Sequence, residues 1–290
     1  MNRKQRVLTT LALGLLACLP QIGASAAEPL EIRLLIVDGQ NNHDWRSTTP
    51  AMRGMLEDAG FSVHVATVPA EGPEREQYAL ALDDYDVVLG NFTDIGGRPA
   101  PRKFFNDLAE WVAAGGGFVP VHAATAGMEH LPEYVRMVGL GWGNPQRGAR
   151  LVLDEEGREI RTPQGQGRGT GHGGLGPIDV TIWADDHPIV QGLPRNLQVR
   201  DELWFAARGP AEQLTVLATG WAPQTEQNEP ILWTVDYGEG RVFVHLLGHD
   251  ANTMQDDFFR ITLLRGCQWA ATGEVTLPLP AELQQATPEP

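Results

Sequence analysis

Gly115-Gly116-Gly117-Phe118-Val119-Pro120-Val121-His122-Ala123-Ala124-Thr125-Ala126-Gly127 is the stretch whose reading decides the fold. A glycine run opens a short apolar strand, and the strand ends on a histidine among small residues. In an open parallel sheet, ligands bind in the crevice beyond the carboxyl ends of the strands. A turn of alanine, threonine and glycine leaves His122 room to face that crevice. Turns of this kind commonly carry a serine or cysteine nucleophile, and an imidazole in that place changes the chemistry to expect.

The segments on either side extend the pattern. Residues 31–38 (EIRLLIVD) form an apolar run that reads as a buried strand, followed by a polar loop over residues 40–46. The next helix is expected to open with Ser47, Thr48 and Thr49 as caps and Pro50 in its first turn, and to stop at Gly60. Strands follow at 61–67 and 85–91. A helix then begins at Pro101, with Phe104, Phe105, Leu108, Trp111 and Val112 at helical spacing. This order predicts an α/β fold with a flavodoxin-like, doubly wound, mostly parallel sheet covered by helices on both faces.

Past residue 139 the pattern changes. Residues 139–176 are rich in glycine and lack a sustained apolar period, so they are expected to form a long inserted loop, with a hairpin-like piece near 151–161. Strands are expected at 178–184, 214–219, 231–236 and 241–247, with a tight hairpin at 236–240 and a closing helix over 256–271. One α/β domain over residues 27–275 and an exposed tail over 276–290 complete the organisation.

The first 26 residues read as a signal peptide. Arg3, Lys4 and Arg6 precede an apolar run, and Ala24-Ser25-Ala26 supplies small residues for cleavage. The expectation is a periplasmic or secreted protein, with lipoprotein anchoring at Cys18 as the lesser alternative. No second apolar run is long enough to span a membrane. The whole sequence carries 22 basic and 37 acidic residues, a net −15, and losing the leader makes it more acidic still. Such a surface repels phosphate backbones, so no nucleic-acid partner is expected. Once Cys18 has left, Cys267 has no pairing partner and reads as a buried, inert thiol.

Of eight histidines, several stand where strands end. His43 follows the first strand, His122 the fourth and His249 the last, while His172 lies in the glycine-rich loop. Loops at one sheet edge converge, so His43, His122 and His249 could meet, and neutral imidazoles are good bases and good transition-metal ligands. His64, His130 and His187 read as structural or turn residues. Asp44, Glu229 and the pair Asp201-Glu202 are the acidic candidates, for proton transfer or a mixed His/carboxylate metal site. The catalytic candidates are therefore His122, Glu202 and Asp44, and the metal-ligand candidates His43, His122 and His249. Candidates for substrate contact are His172, Asp201, Trp45, Trp142 and Glu229. The sequence has no G-x-S-x-G, P-loop, H-E-x-x-H or paired C-x-x-C.

Together these segments resemble a known family. Val37-Asp38-Gly39 with His43-Asp44, Tyr85-Asp86-Val87-Val88, the glycine run through Ala124, and residues 187–194 (HPIVQGLP) are similar to trehalose-utilisation (ThuA-like) proteins. So are Asp201-Glu202-Leu203-Trp204, residues 237–243 (YGEGRVF) and Leu247-Gly248-His249-Asp250, collinear over residues 31–273. Gly171-His172-Gly173 resembles a loop in one branch of the family, and Trp204 stands where a tyrosine is common. The resemblance implies a class I glutamine amidotransferase-like fold without amidotransferase activity, since His122 replaces the elbow cysteine. It also implies a role in disaccharide catabolism beside oxidoreductases that make 3-keto-glycosides. The expected function is an exported enzyme acting on a glycoside derivative, with a divalent transition metal as candidate cofactor and a carbohydrate as partner. A non-catalytic sugar-binding module is the alternative, and either is compatible with an oligomer.

Overall fold

The computed structural model describes residues 31–284, so the expected leader and the end of the tail lie outside the described residues. The first half alternates strand and helix: β1 Arg33–Asp38, α1 Trp45–Asp58, β2 Ser62–Thr67, the short α2 Pro73–Glu76, β3 Val87–Gly90, α3 Arg102–Ala113 and β4 Gly117–Pro120, then α4 Pro132–Val138. The second half is mostly strand: β5 Ala149–Leu153, β6 Glu159–Thr162, β7 Gly171–His172, β8 Gly176–Ile182, β9 Asn196–Asp201, β10 Trp204–Phe205, β11 Arg208–Gly209, β12 Leu214–Ala222, β13 Gln227–Tyr237 and β14 Gly240–His245. Helix α5, Asp257–Thr272, closes the fold.

The main sheet runs β2-β1-β3-β4-β14-β13-β12-β8-β9. Parallel ladders join β2, β1, β3, β4 and β14. Every other ladder is antiparallel, including those that attach β5, β6 and β11. The expectation of a mostly parallel sheet is therefore corrected to a mixed, mostly antiparallel one. The physical reason lies in the connections: β13 turns tightly into β14 at Gly238-Glu239, and a tight turn can join only antiparallel neighbours.

Alternation along the parallel strands sorts side chains between two cores. Leu34, Ile36, Leu89 and Val119 pack with Met52 and Leu56 of α1 and Phe258 and Leu263 of α5. Leu35, Val37, Val88 and Phe118 pack with Phe104, Leu108 and Val112 of α3 and Tyr134 of α4 on the opposite face. The glycine run has a steric purpose here. A Cβ on Gly117 would stand 2.5 Å from the Ala270 carbonyl oxygen, so glycine lets α5 lie directly on β4. Cys267 is fully buried in α5, and burial raises its thiol pKa, which suits an inert packing residue.

Within the expected long loop over 139–176, the hairpin-like piece is β5 paired antiparallel with β6, and β7 is a further two-residue strand. Only Leu140, Leu151, Val152 and Leu153 of that region are buried in the core, while β6 is largely exposed, so no apolar period marks it. Its backbone is held by Arg208, which is fully buried. The guanidinium donates to the carbonyls of Gln166 (2.7 Å) and Arg168 (2.9 Å from Nε). Helix α1 also begins earlier than expected: the Asp44 carbonyl accepts the first turn's N–H groups from Ser47 and Thr48, and Pro50 falls in the second turn. In the tail, Leu277, Leu279 and Leu283 are half-buried against the α5 core, so its described part is a strap and not a free extension. Among the described residues no helix is long and apolar enough to cross a membrane.

His245, at the end of β14, is fully buried beneath α5. Thr262 Oγ1 donates to the Phe258 carbonyl (2.5 Å), so it accepts from His245 Nε2–H at 2.9 Å. Burial pushes the imidazole pKa down to about 3. The unfolded chain, with an ordinary pKa of about 6.5, takes up this proton first. The neutral imidazole's stabilisation is thus present above pH 6.5 and is lost as pH falls toward the folded value, by about 1.4 kcal/mol per pH unit. Urea unfolding between pH 6 and pH 4 should show this slope, and His245→Gln should flatten it by that amount. A slope indifferent to the substitution would contradict the assignment.

Candidate functional site

The carboxyl ends of β1, β4 and β14 bring three imidazoles together. His43 follows β1 in a loop pinned by Asn41, whose Oδ1 accepts the His43 N–H at 2.9 Å. Asn41 is itself held by Asn91 at the end of β3, Nδ2 to Oδ1 at 3.2 Å. His122 stands on a one-turn 3-10 helix after β4, with φ at 47°. A positive φ is unusual for a residue with a Cβ, and such conformations concentrate at functional sites. Its Nδ1–H donates to the Leu246 carbonyl at 2.7 Å, which leaves Nε2 as a lone pair aimed at the other imidazoles. The ring centroids lie 4.7 Å apart for His43 and His122, and 4.5 Å apart for His43 and His249.

Glu202 enters from the turn between β9 and β10. Its Oε2 accepts from Trp204 Nε1 at 3.0 Å and lies 3.5 Å from His249 Nδ1 and 3.7 Å from His122 Nε2. Its Oε1 lies 2.7 Å from His172 Nδ1. Pairing of β7 with β10 sets Trp204 opposite His172, which is how the glycine-rich segment delivers this fourth imidazole.

One ligand atom each from His43, His122, Glu202 and His249 fall within 4.8 Å of one another. His43 Nδ1, His122 Nε2 and His249 Nδ1 are all buried without a hydrogen-bond partner. Three unpartnered nitrogen atoms gathered round a carboxylate would be costly in a buried site unless a shared cation satisfied them. Burial, followed by its imidazole neighbours, holds His122 well below the ordinary histidine range, and His43 is lowered for the same reasons. Both rings are thus neutral near pH 7, the form that binds metal. Nitrogen and oxygen ligands without a thiolate suit a divalent transition ion such as zinc, manganese, iron, cobalt or nickel.

The cluster forms one end of a cavity of about 320 Å³ lined by Asn42, Ile95, Ala126, Trp142, His172 and Trp204 together with His43, Glu202 and His249, with His122 buried behind them. Trp142 and Trp204 meet edge to face at 5.1 Å, and Trp142 also packs against His172 at 5.6 Å. A larger cleft of about 530 Å³ beside α4 holds none of these imidazoles, so the chemistry lies in the smaller one.

The remaining candidates fall elsewhere. Asp201 is buried behind the cluster and absent from the cavity lining. Its carboxylate accepts from the backbone N–H of Glu202 (2.7 Å), Gly248 (2.7 Å) and His249 (3.2 Å), so it builds the site from behind. Burial lifts its pKa to about 6 against the pull of those donors. Glu229 is buried against Arg150 and Thr225, outside the cavity. Because α1 starts early, Asp44 becomes its exposed N-cap and Trp45 its first residue, stacked under Arg46, and neither lines the cavity. Residue-level reading missed Asn42, Ile95 and Ala126, whose only signal was adjacency to the strand ends.

The profile of one protein family, described as ThuA, trehalose utilisation, matches residues 33–270. A ThuA-like protein from Parabacteroides merdae is 30% identical, with a TM-score of 0.80, covering 89% of this chain and 95% of its own. A second ThuA-like structure, from Bacteroides uniformis, is 17% identical with a TM-score of 0.55, covering 88% of this chain and 96% of its own. No curated protein matches the chain.

Proposed function

The chain belongs to the ThuA family of trehalose utilisation, and from that premise we propose an exported, metal-assisted enzyme that acts on a small glycoside in its oxidised, 3-keto form. The observation that carries this reading is the set of three unpartnered buried imidazole nitrogens around Glu202, at one end of a cavity walled by two tryptophans. Tryptophan faces suit the apolar C–H faces of sugar rings, and Asn42 offers polar atoms for hydroxyl groups. At about 320 Å³ the cavity lies at the low end of small-molecule sites, which fits one sugar ring with part of a neighbour.

His43, His122, His249 and Glu202 would hold the ion. When bound, a divalent cation there supplies Lewis acidity toward a carbonyl oxygen. A ketone at C3 makes the C2 proton acidic, and a base at the cavity wall removes it. The C–H electron pair moves toward the C3 oxygen. As the C3 carbonyl re-forms, C1=C2 is made, the C1–O glycosidic bond breaks, and the departing alcohol takes a proton. The products are an unsaturated keto-sugar and an alcohol, with no oxidant consumed.

Metal analysis of protein purified without a polyhistidine tag should find about one divalent transition ion per chain. Incubation with trehalose, other glycosides and their 3-keto forms, followed by mass spectrometry, should show the keto forms cleaved and the parent sugars intact. Metal-free protein that binds sugars and leaves every one unchanged would instead establish a binding module.

A further inference from the structure

We propose that His172 is the acid–base residue of this site, an imidazole whose Nδ1–H is fixed by the Gly173 carbonyl beside Glu202 and whose Nε2 exchanges the proton with substrate. The assignment rests on the enzymatic reading above and deepens it by separating the residue that moves the proton from those that hold the ion.

The four imidazoles of the site are not equivalent. Those of His43, His122 and His249 turn unpartnered nitrogens toward one another in a buried cluster. His172 stands apart on β7, its side chain 49% exposed, and it lines the cavity beside Trp142. Its Nδ1–H donates to the Gly173 carbonyl at 2.7 Å, and Glu202 Oε1 lies 2.7 Å from the same nitrogen, placed as the counter-charge of the protonated ring. Neither a carboxylate nor a carbonyl can donate, so Nδ1 carries the hydrogen and the neutral ring keeps its lone pair on Nε2. A backbone carbonyl holding one ring nitrogen frees the other to act as base, and the adjacent carboxylate stabilises the imidazolium that forms. Glu202 thereby has two separate tasks, Oε2 toward the buried cluster and Oε1 toward His172.

The supports of β7 are consistent with a fixed working position. Pairing sets His172 against Trp204 and Gly171 against Phe205. Thr170 Oγ1 donates to the Ala206 carbonyl at 3.0 Å, and its N–H reaches the Gly143 carbonyl at 2.9 Å. In the reaction, Nε2 accepts the C2 proton as the C2–H bond breaks. The resulting imidazolium, stabilised by Glu202, returns that proton to the departing alkoxide as the C1–O bond breaks. The residue ends each turnover as it began.

The test uses the whole protein loaded with zinc and two probes, 3-keto-trehalose and a methyl 3-keto-glucoside. His172→Ala should lower kcat by about 10²–10⁴-fold, leave metal content and KM within twofold of the parent, and recover activity with added imidazole. His172→Gln should be equally inactive. Nitrogen-15 NMR of the resting protein should show His172 as the Nδ1–H tautomer. Turnover by His172→Ala at the parental rate, in a protein that His122→Ala silences, would overturn this assignment and leave the enzymatic reading standing. An Nε2–H tautomer would overturn it without reference to any substrate. A parent protein inert to both probes would remove the enzymatic reading and this assignment together.

Discussion

Glu202→Gln is expected to lose metal affinity by more than about a hundredfold and turnover by at least a thousandfold, with the fold intact. Removing a ligand from a mixed nitrogen–oxygen site costs at least what disturbing its outer partners costs, about 10–100-fold. The amide also disturbs His172. Glutamine can still accept from Trp204 with its oxygen only by setting its NH2 against His172 Nδ1–H, and the flipped amide sets that NH2 against Trp204 Nε1–H instead. Isothermal titration with zinc and steady-state assay of a 3-keto-glycoside would measure both losses, and circular dichroism would confirm the fold. Parental metal affinity in Glu202→Gln would remove the carboxylate from the metal site.

Asp201→Ala should be the more damaging change to stability. Its carboxylate accepts from three backbone N–H groups, two of which belong to Glu202 and His249. Alanine leaves all three donors without an acceptor in a buried place, and each orphaned group costs about 1–3 kcal/mol. A total loss of about 3–5 kcal/mol is expected in urea unfolding. In whatever fraction stays folded, metal affinity should fall by about 10–100-fold, because the turn carrying Glu202 and the loop carrying His249 lose their shared anchor. Destabilisation below about 1 kcal/mol, well short of one orphaned donor's full cost, would show that water replaces the carboxylate without strain.

The convergence of His43, His122 and His249 was legible because it follows from topology alone. Residues just past the carboxyl ends of neighbouring strands must meet, whatever the helices between them do. Glu202 was legible as a residue type but not as a partner, since it arrives from an antiparallel ladder absent from the expected sheet. The second half was harder to read for a physical reason. Its order comes from ladders at a sheet edge and from side chains bonding to backbone, and neither leaves an apolar period. Asp44 and Trp45 were drawn away from the site by an earlier helix start, where a backbone carbonyl and not a hydroxyl side chain receives the first N–H groups. His245 carried a readable signal, a lone polar residue inside an apolar strand, and its burial beneath α5 needed tertiary structure to see.

Arg208 sets the way in and out. Its buried guanidinium spends its hydrogens on the carbonyls of Gln166 and Arg168, so raising the glycine-rich segment would strand a cation in the interior. Leaving a buried charge without its acceptors costs about 3–5 kcal/mol, too much for routine opening. Despite its glycines the segment therefore behaves as a wall and not a door. A ligand would then use the cavity as it stands, with Asn42 and His172 the exposed residues of its lining. For the enzyme proposed above, a cavity fixed in this way would restrict the substrate to short glycosides and chain ends and exclude the interior of a polysaccharide by size alone.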